Sequence, residues 1–381
     1  MSAFELAVAA MIIMFAVSAM LLVAVVVLKL VNNRRRHAHQ KRRAAFLKLL
    51  SKHIAAPGSV EELTVQEAGD DAFLDAVIDV RHMLAGPTVE ELAGIIDRTG
   101  LIGYQAKRLQ SRFPLGRRLR AAVSLAEIAD ARAAKLLLQH LNDPIPEIRV
   151  QAARGLARMR YTAAIDVILD RFNHETPWVR SRFAESLALF DRDVVWPLMA
   201  FVRVHHNHED DVGVPDIVRI LGVIGDSEVG PPLAELLYTA TSVEVKIAII
   251  ETLGLVGGPM ALRPLRRMIQ SNDWRIRAKT ASAFSEIGDP SVKPTLAEGL
   301  EDPSWWVRRN CAAGLAHLPG GIDFLHKALD SDDEFSRDAA AEALADSGEL
   351  VAARDRLEAG TADERDFKLV AYMHSSDLVS S

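Results

Sequence analysis

Residues 6–28 form a run of 23 positions without a charge, interrupted by Ser18 as the only polar side chain. A helix of that length covers about 34 Å, enough for a hydrocarbon layer of about 30 Å, so the pattern predicts one transmembrane helix within residues 1–31. A basic juxtamembrane segment over 32–56 follows, with Phe46, Leu47, Leu50 and Ile54 on one helical face. Beyond Pro57-Gly58 the chain continues as amphipathic stretches over 61–84, 89–97 and 101–113, punctuated by Gly86-Pro87 and Gly100. These predict a helical N-terminal cap over 57–113.

Over 114–348 the apolar pattern repeats about every 31 residues. A β-branched residue and a base open each unit: Ile148-Arg149, Val179-Arg180, Val245-Lys246, Ile276-Arg277 and Val307-Arg308. Arg118 and Arg337 extend the register on either side, and the gap of 66 between Arg180 and Lys246 divides into two units around Val212. Seven positions after the base stands a large apolar residue: Leu125, Leu156, Leu187, Leu253, Phe284, Leu315 or Leu344. Breaks at Gly225-Asp226, Gly257-Gly258 and Gly288-Asp289-Pro290 end the first helix of a unit, and a second helix follows. Two helices per unit, neither able to bury its apolar face alone, must stack on their neighbours. The expected fold is all-α: about eight helical repeats in a solenoid, preceded by the membrane helix and the cap, with a C-terminal helix and tail over 349–381.

The stretch GDPSVKPTLAEGLEDPSWWVRRNCAAGLAHLP, residues 288–319, resembles HEAT repeats, in particular the short bacterial type also seen in phycobilin-lyase-like proteins. The resemblance covers roughly two thirds of the chain and implies an α-solenoid. It also implies that an Asp six residues before the repeated Arg ties neighbouring units together. Asp143 and Asp302 fit that spacing before Arg149 and Arg308, whereas Ser271 and Ser331 replace the acid before Arg277 and Arg337.

Charge divides the chain sharply. Residues 32–53 carry Arg34, Arg35, Arg36, Lys41, Arg42, Arg43, Lys48 and Lys52 and no acid, while residues 54–381 carry 36 bases against 50 acids, a net of −14. The basic cluster just after the apolar run predicts an N-terminus outside and a body in the cytoplasm, at the inner membrane of a bacterium. Its charge also suits anionic lipid headgroups. A body this acidic is a poor ligand for phosphate backbones, so no nucleic-acid role is expected. With Cys311 as the only cysteine there is no intramolecular disulfide and no multi-cysteine metal site.

Three groups of residues carry candidate chemistry. The row Arg149, Arg180, Lys246, Arg277, Arg308 and Arg337, with Arg118 ahead of it, is expected to be a structural ladder, because guanidinium groups at helix starts bond carboxylates and carbonyls between repeats. Trp178, Trp274, Trp305 and Trp306 recur just before these bases, either as anchors for a protein partner or as fillers between repeats. Trp305 and Trp306 are adjacent, so at least one is expected at the surface. The third group is His174 and Glu175 with His205, His206, His208 and Glu209, a metal-ligand set in composition. Its Asn-His-Glu motif invites comparison with deoxyhypusine hydroxylases, HEAT-like di-iron enzymes with four His-Glu pairs, of which this chain has two. The competing reading is a pair of solvated polar turns.

There is no glycine-rich phosphate loop and no G-x-S-x-G elbow, and Cys311 is expected to be a buried small hydrophobe. The expectation is therefore a scaffold or adaptor without a cofactor. It would bind a membrane-associated protein at the inner membrane, in support of an envelope-assembly or polysaccharide-export machine. A metal-dependent hydroxylase-like enzyme and a bilin-lyase-like protein are the alternatives.

Overall fold

The computed structural model describes residues 3–55, 67–84, 88–110, 114–207 and 213–379, and every regular element among them is helical. The chain divides into two compact units, Met1–Met159 and Arg160–Ser381.

The first unit opens with α1 (Ala3–Ala55), one unbroken helix of 53 residues. It contains neither Gly nor Pro, the residues that would interrupt it. The expected boundary between membrane helix and basic segment is thus a change of composition within one rod. Exposed Phe15 and Leu28 mark its apolar half, and its distal end packs on α2 (Asp71–Met83) and α3 (Thr88–Thr99). There Leu50 is fully buried and the Phe46 ring meets Phe73 edge-on at 5.4 Å.

Within the expected helical stretch over 61–84 the described residues are interrupted at Asp70. Asp70 is extended and accepts the Ala72 amide at 2.8 Å, an N-cap that fixes the start of α2 at Asp71. Positions 61–66 lie outside the described residues. Next come α4 (Leu101–Leu109), α5 (Leu115–Ile128), α6 (Ala131–His140) and α7 (Pro146–Arg158), with α2 packed on α5 and α5 on α7.

The second unit continues with α8 (Ala164–Phe172), α9 (Pro177–Ala188), α10 (Val195–His205), α11 (Val214–Ile224), α12 (Gly230–Thr239), α13 (Val243–Val256) and α14 (Leu262–Met268). Then come α15 (Trp274–Ile287), α16 (Lys293–Glu298), α17 (Trp305–His317), α18 (Ile322–Ala328), α19 (Glu334–Asp346), α20 (Glu349–Glu358) and α21 (Glu364–Val379). Counted along the chain, α5 to α20 make eight helix pairs among the described residues. The last pair closes with α20, beyond the expected limit at residue 348, so the C-terminal segment contributes two helices rather than one.

In this unit the first helices α9, α11, α13, α15, α17 and α19 each pack on the next, forming one layer. The seven large apolar residues of the register, from Leu125 to Leu344, are fully buried, which is the periodic burial that stacking requires. Between the helices of a pair, Gly225 and Gly288 take left-handed φ of 75° and 72° and end α11 and α15. The Asp that follows each glycine caps the next turn, Asp226 accepting the Glu228 amide and Asp289 the Ser291 amide. Polar ties cross from helix to helix within the layer. Glu251 on α13 takes Arg219 of α11 at 3.1 Å and Lys279 of α15 at 2.7 Å.

Candidate protein-docking surface

The bases that open the repeats lie with their backs to the surface. Arg149, Arg277, Arg308 and Arg337 each donate at 2.8 Å to the backbone carbonyl six residues earlier, of Asp143, Ser271, Asp302 and Ser331 respectively. Arg180 donates to the Glu175 carbonyl at 3.1 Å. Because a main-chain oxygen accepts, the bond is indifferent to whether that position is Asp or Ser. The side chain there closes the turn in either case: Asp143 and Asp302 accept the amides two residues on, and the Ser271 and Ser331 hydroxyls do the same for Asp273 and Asp333.

The acid adds a second bond, made to the preceding unit rather than to its own. Arg118 pairs with Asp143 in a fully buried contact, and Arg277 grips Asp302 through two bonds of 2.6 and 2.8 Å. At Asp143 and Asp302 the acid thus ties successive units together, as the resemblance implied. Where Ser331 leaves Arg308 without an acid, the guanidinium lies 5.0 Å from the centre of the Phe335 ring. Lys246 makes none of these bonds among the described residues.

Turned outward at the first turns of α9, α15 and α17 are Trp178, Trp274, Trp305 and Trp306, between 43% and 50% exposed. The expectation that at least one of the adjacent pair is exposed is met by both. Trp305 and Trp306 contact each other edge-on, their ring centres 4.7 Å apart, and Arg309 sits 5.2 Å over Trp305. The sequence reading missed Phe335, exposed at the first turn of α19 and placed two residues before Arg337 as Trp306 is before Arg308. That shared offset was the signal. Beside this row, between α17 and α19, a cleft of about 350 Å³ is floored by Ala313, Ala316, Ala339 and Ala343 and flanked by Arg309 and Glu342. Large aromatic faces thus stand at helix starts next to a groove lined by small side chains.

The His and Glu candidates do not converge in this way. Glu175 is buried, its carboxylate taken by Arg171 at 2.9 Å, while His174 is exposed. His205 stacks on Phe201, and His206 contacts the Arg203 carbonyl and the Thr239 hydroxyl through its two nitrogens. No group of three or more His, Cys, Asp or Glu able to hold a metal ion occurs among the described residues. His208 and Glu209 lie outside them. Cys311 is buried against Gly299, and burial pushes its thiol up to about 12.

The basic segment separates into two sets. Arg43 makes a bidentate pair with Asp79, with bonds of 2.6 Å, Arg42 reaches Asp70 at 3.0 Å and His39 lies 3.4 Å from Asp75. Asp75 and Asp79 belong, with Asp71, to an acidic stripe spaced by one turn along α2, and Asp70 is that helix's N-cap. Burial works against the charge on Asp71, yet Arg108 and Arg120 hold its carboxyl below the usual range. Arg34, Arg35, Arg36 and Lys41 remain exposed.

A family profile for HEAT repeats matches residues 106–188, 216–283, 230–316 and 294–372, more than half of the chain. Similar solved structures include human deoxyhypusine hydroxylase in complex with glycerol, at 18% identity and a TM-score of 0.28, covering 65% of this chain and 96% of that one. The complex of CpcE and CpcF of phycocyanin lyase from Nostoc sp. PCC7120 is similar at 18% identity and a TM-score of 0.33, with coverage of 64% and 94%. Kap121p bound to Nup53p gives 11% identity and a TM-score of 0.48, covering 89% of this chain and 46% of that one. These likenesses are of fold. No curated protein matches the sequence.

Proposed function

Because the chain belongs to the HEAT-repeat family, a fold that commonly mediates protein interactions, we propose that it is a membrane-anchored adaptor that binds a protein partner. The observation that carries the reading is the outward row Trp178, Trp274, Trp305, Trp306 and Phe335, large apolar faces left in water at the starts of first helices. A folded helical stack has ample interior in which to hide such side chains, and leaving them exposed favours a surface that is covered on association.

The anchor is the apolar half of α1. Its described part from Val17 onward contains a window of mean hydropathy 1.6, none of it buried against the protein. Lipid is the solvent that suits such a surface. Arg34, Arg35 and Arg36 follow Leu28 within about 12 Å along the helix, in reach of anionic headgroups and on the cytoplasmic side by the positive-inside rule. Confinement to a thin layer beside the bilayer raises the effective concentration of the body for partners held in the same layer.

A photo-crosslinking amino acid at Trp305 or Trp306 in intact cells should capture one defined protein, and the same probe at exposed Lys135 should not. Equal, diffuse capture from both positions would overturn the reading.

A further inference from the structure

The face of α1 that looks away from α2 carries a second surface. His39, Arg43, Phe46 and Leu50 define the docked side of the helix, through the Asp75 and Asp79 pairs, the Phe73 contact and the burial of Leu50. At 100° per residue, Arg34, Lys41, Lys48 and Lys52 fall together on the opposite side. All four are exposed, and none forms an ion pair among the described residues. No acid occurs on α1 after Glu5, so nothing on the helix itself neutralises the row.

We propose that this stripe is a docking surface for an acidic segment of a partner protein lying alongside the stalk. Distance decides against lipid as its occupant. In an unbroken helix, Lys41, Lys48 and Lys52 stand about 20, 30 and 36 Å beyond Leu28. Even at the steepest usual tilt, about 40°, Lys48 stays more than 20 Å from the end of the apolar run, against a screening length of about 8 Å at physiological salt. Arg34 alone is close enough for headgroups. The stripe repeats one charge over roughly 27 Å of rigid helix, which an acidic helix or extended strand can follow residue for residue. The bases that the cap requires, Arg42 and Arg43, are spent on Asp70 and Asp79 and are not part of it. The exclusion of lipid rests on the anchor reading above; the charge complementarity does not.

The test uses the full chain in phosphatidylcholine nanodiscs, titrated with fluorescein-labelled oligoglutamate. Lys41→Glu/Lys48→Glu/Lys52→Glu should weaken binding by about tenfold or more and flatten its salt dependence, with helicity and melting unchanged because all three side chains face solvent. Lys107→Glu/Lys135→Glu, elsewhere on the same unit, should bind as the wild type does. Equal binding by the stripe variant, or equal loss in the control pair, overturns the proposal. Repeating the titration at physiological salt in nanodiscs containing phosphatidylserine separates the occupants: retained affinity supports a stripe standing clear of the bilayer, and lost affinity shows headgroups covering it and overturns the proposal. Flotation of the same preparation reports on the anchor separately, since a chain that fails to float fails that reading while the titration still decides the stripe.

Discussion

Arg277 on α15 closes a bidentate pair on Asp302, the acid that opens the turn before α17, with Nε to Oδ2 at 2.6 Å and Nη2 to Oδ1 at 2.8 Å. The same guanidinium donates its remaining group to the Ser271 carbonyl at 2.8 Å, so one side chain joins two turns of successive units. Both partners are largely shielded from water. Removing the acid therefore strands a partly buried cation as well as losing a bond. Asp302→Asn should lower stability by about 2 kcal/mol in urea denaturation followed by circular dichroism, and Ser331→Asn, at the equivalent turn without a cross-unit acid pair, should cost clearly less.

The pH dependence of that difference has a defined sign. Burial works against the charge on Asp302, but the Arg277 bonds and the Ser304 amide more than offset it and hold the carboxyl below 3.8. A depressed native value gives stability that is present in full above the unfolded value and is lost as pH falls through the native one. The gap between wild type and Asp302→Asn should be constant near neutrality and shrink only below about pH 4. Matched urea titrations from neutral pH to pH 3 would show it; a gap that widened on acidification would refute the assignment.

Gly299 and Cys311 make a steric pair. A methyl group at Gly299 would collide with the Cys311 sulfur. Gly299→Ala should cost about 1–3 kcal/mol on its own, and markedly less when Cys311→Ala supplies the room. Thermal melts of the two single variants and the double variant close the cycle.

Ala129 ends α5 in the left-handed region at φ 54°, where glycine is the unstrained residue. Ala129→Gly should raise the midpoint of unfolding by an amount corresponding to about 0.5–1 kcal/mol. The gain should be absent at Ala126, which lies within the same helix, where the same change should destabilise.

Arg43 and Asp79 hold the distal half of α1 on the cap. Either Arg43→Asp or Asp79→Arg should make the region around Lys52 more sensitive to limited proteolysis, and the double exchange should restore part of the protection. Protection that fell further in the double variant would mean that Phe46 and Leu50 alone seat the helix.

The repeat register was legible because five of its bases, Arg149, Arg180, Arg277, Arg308 and Arg337, bond backbone carbonyls at the start of their own units, and the seven large apolar residues that follow the register bases are all buried. The ladder of acids was less so. Sequence spacing ties Asp143 to Arg149, but the Asp143 carboxylate goes to Arg118, 25 residues earlier, a contact that exists only once the units have stacked. The stripe Asp71, Asp75 and Asp79 went unread in the sequence, because its pairing with α1 exists only once His39 and Arg43 are laid against Asp75 and Asp79. Outward Trp and inward Trp give the same pattern of letters. Which one a first-turn residue becomes is decided only by tertiary packing, and Trp178, Trp274, Trp305 and Trp306 stand at the surface. Phe335 is exposed at the corresponding turn of α19.

Cys311, enclosed against Gly299 with its thiol shifted to about 12, is chemically silent at neutral pH. Since the sequence holds no other cysteine, any one introduced on the outside would be the sole nucleophilic sulfur a maleimide or spin label could find. The natural chain is thus already a clean background for attaching reporters one position at a time, along the aromatic row or the basic stripe alike.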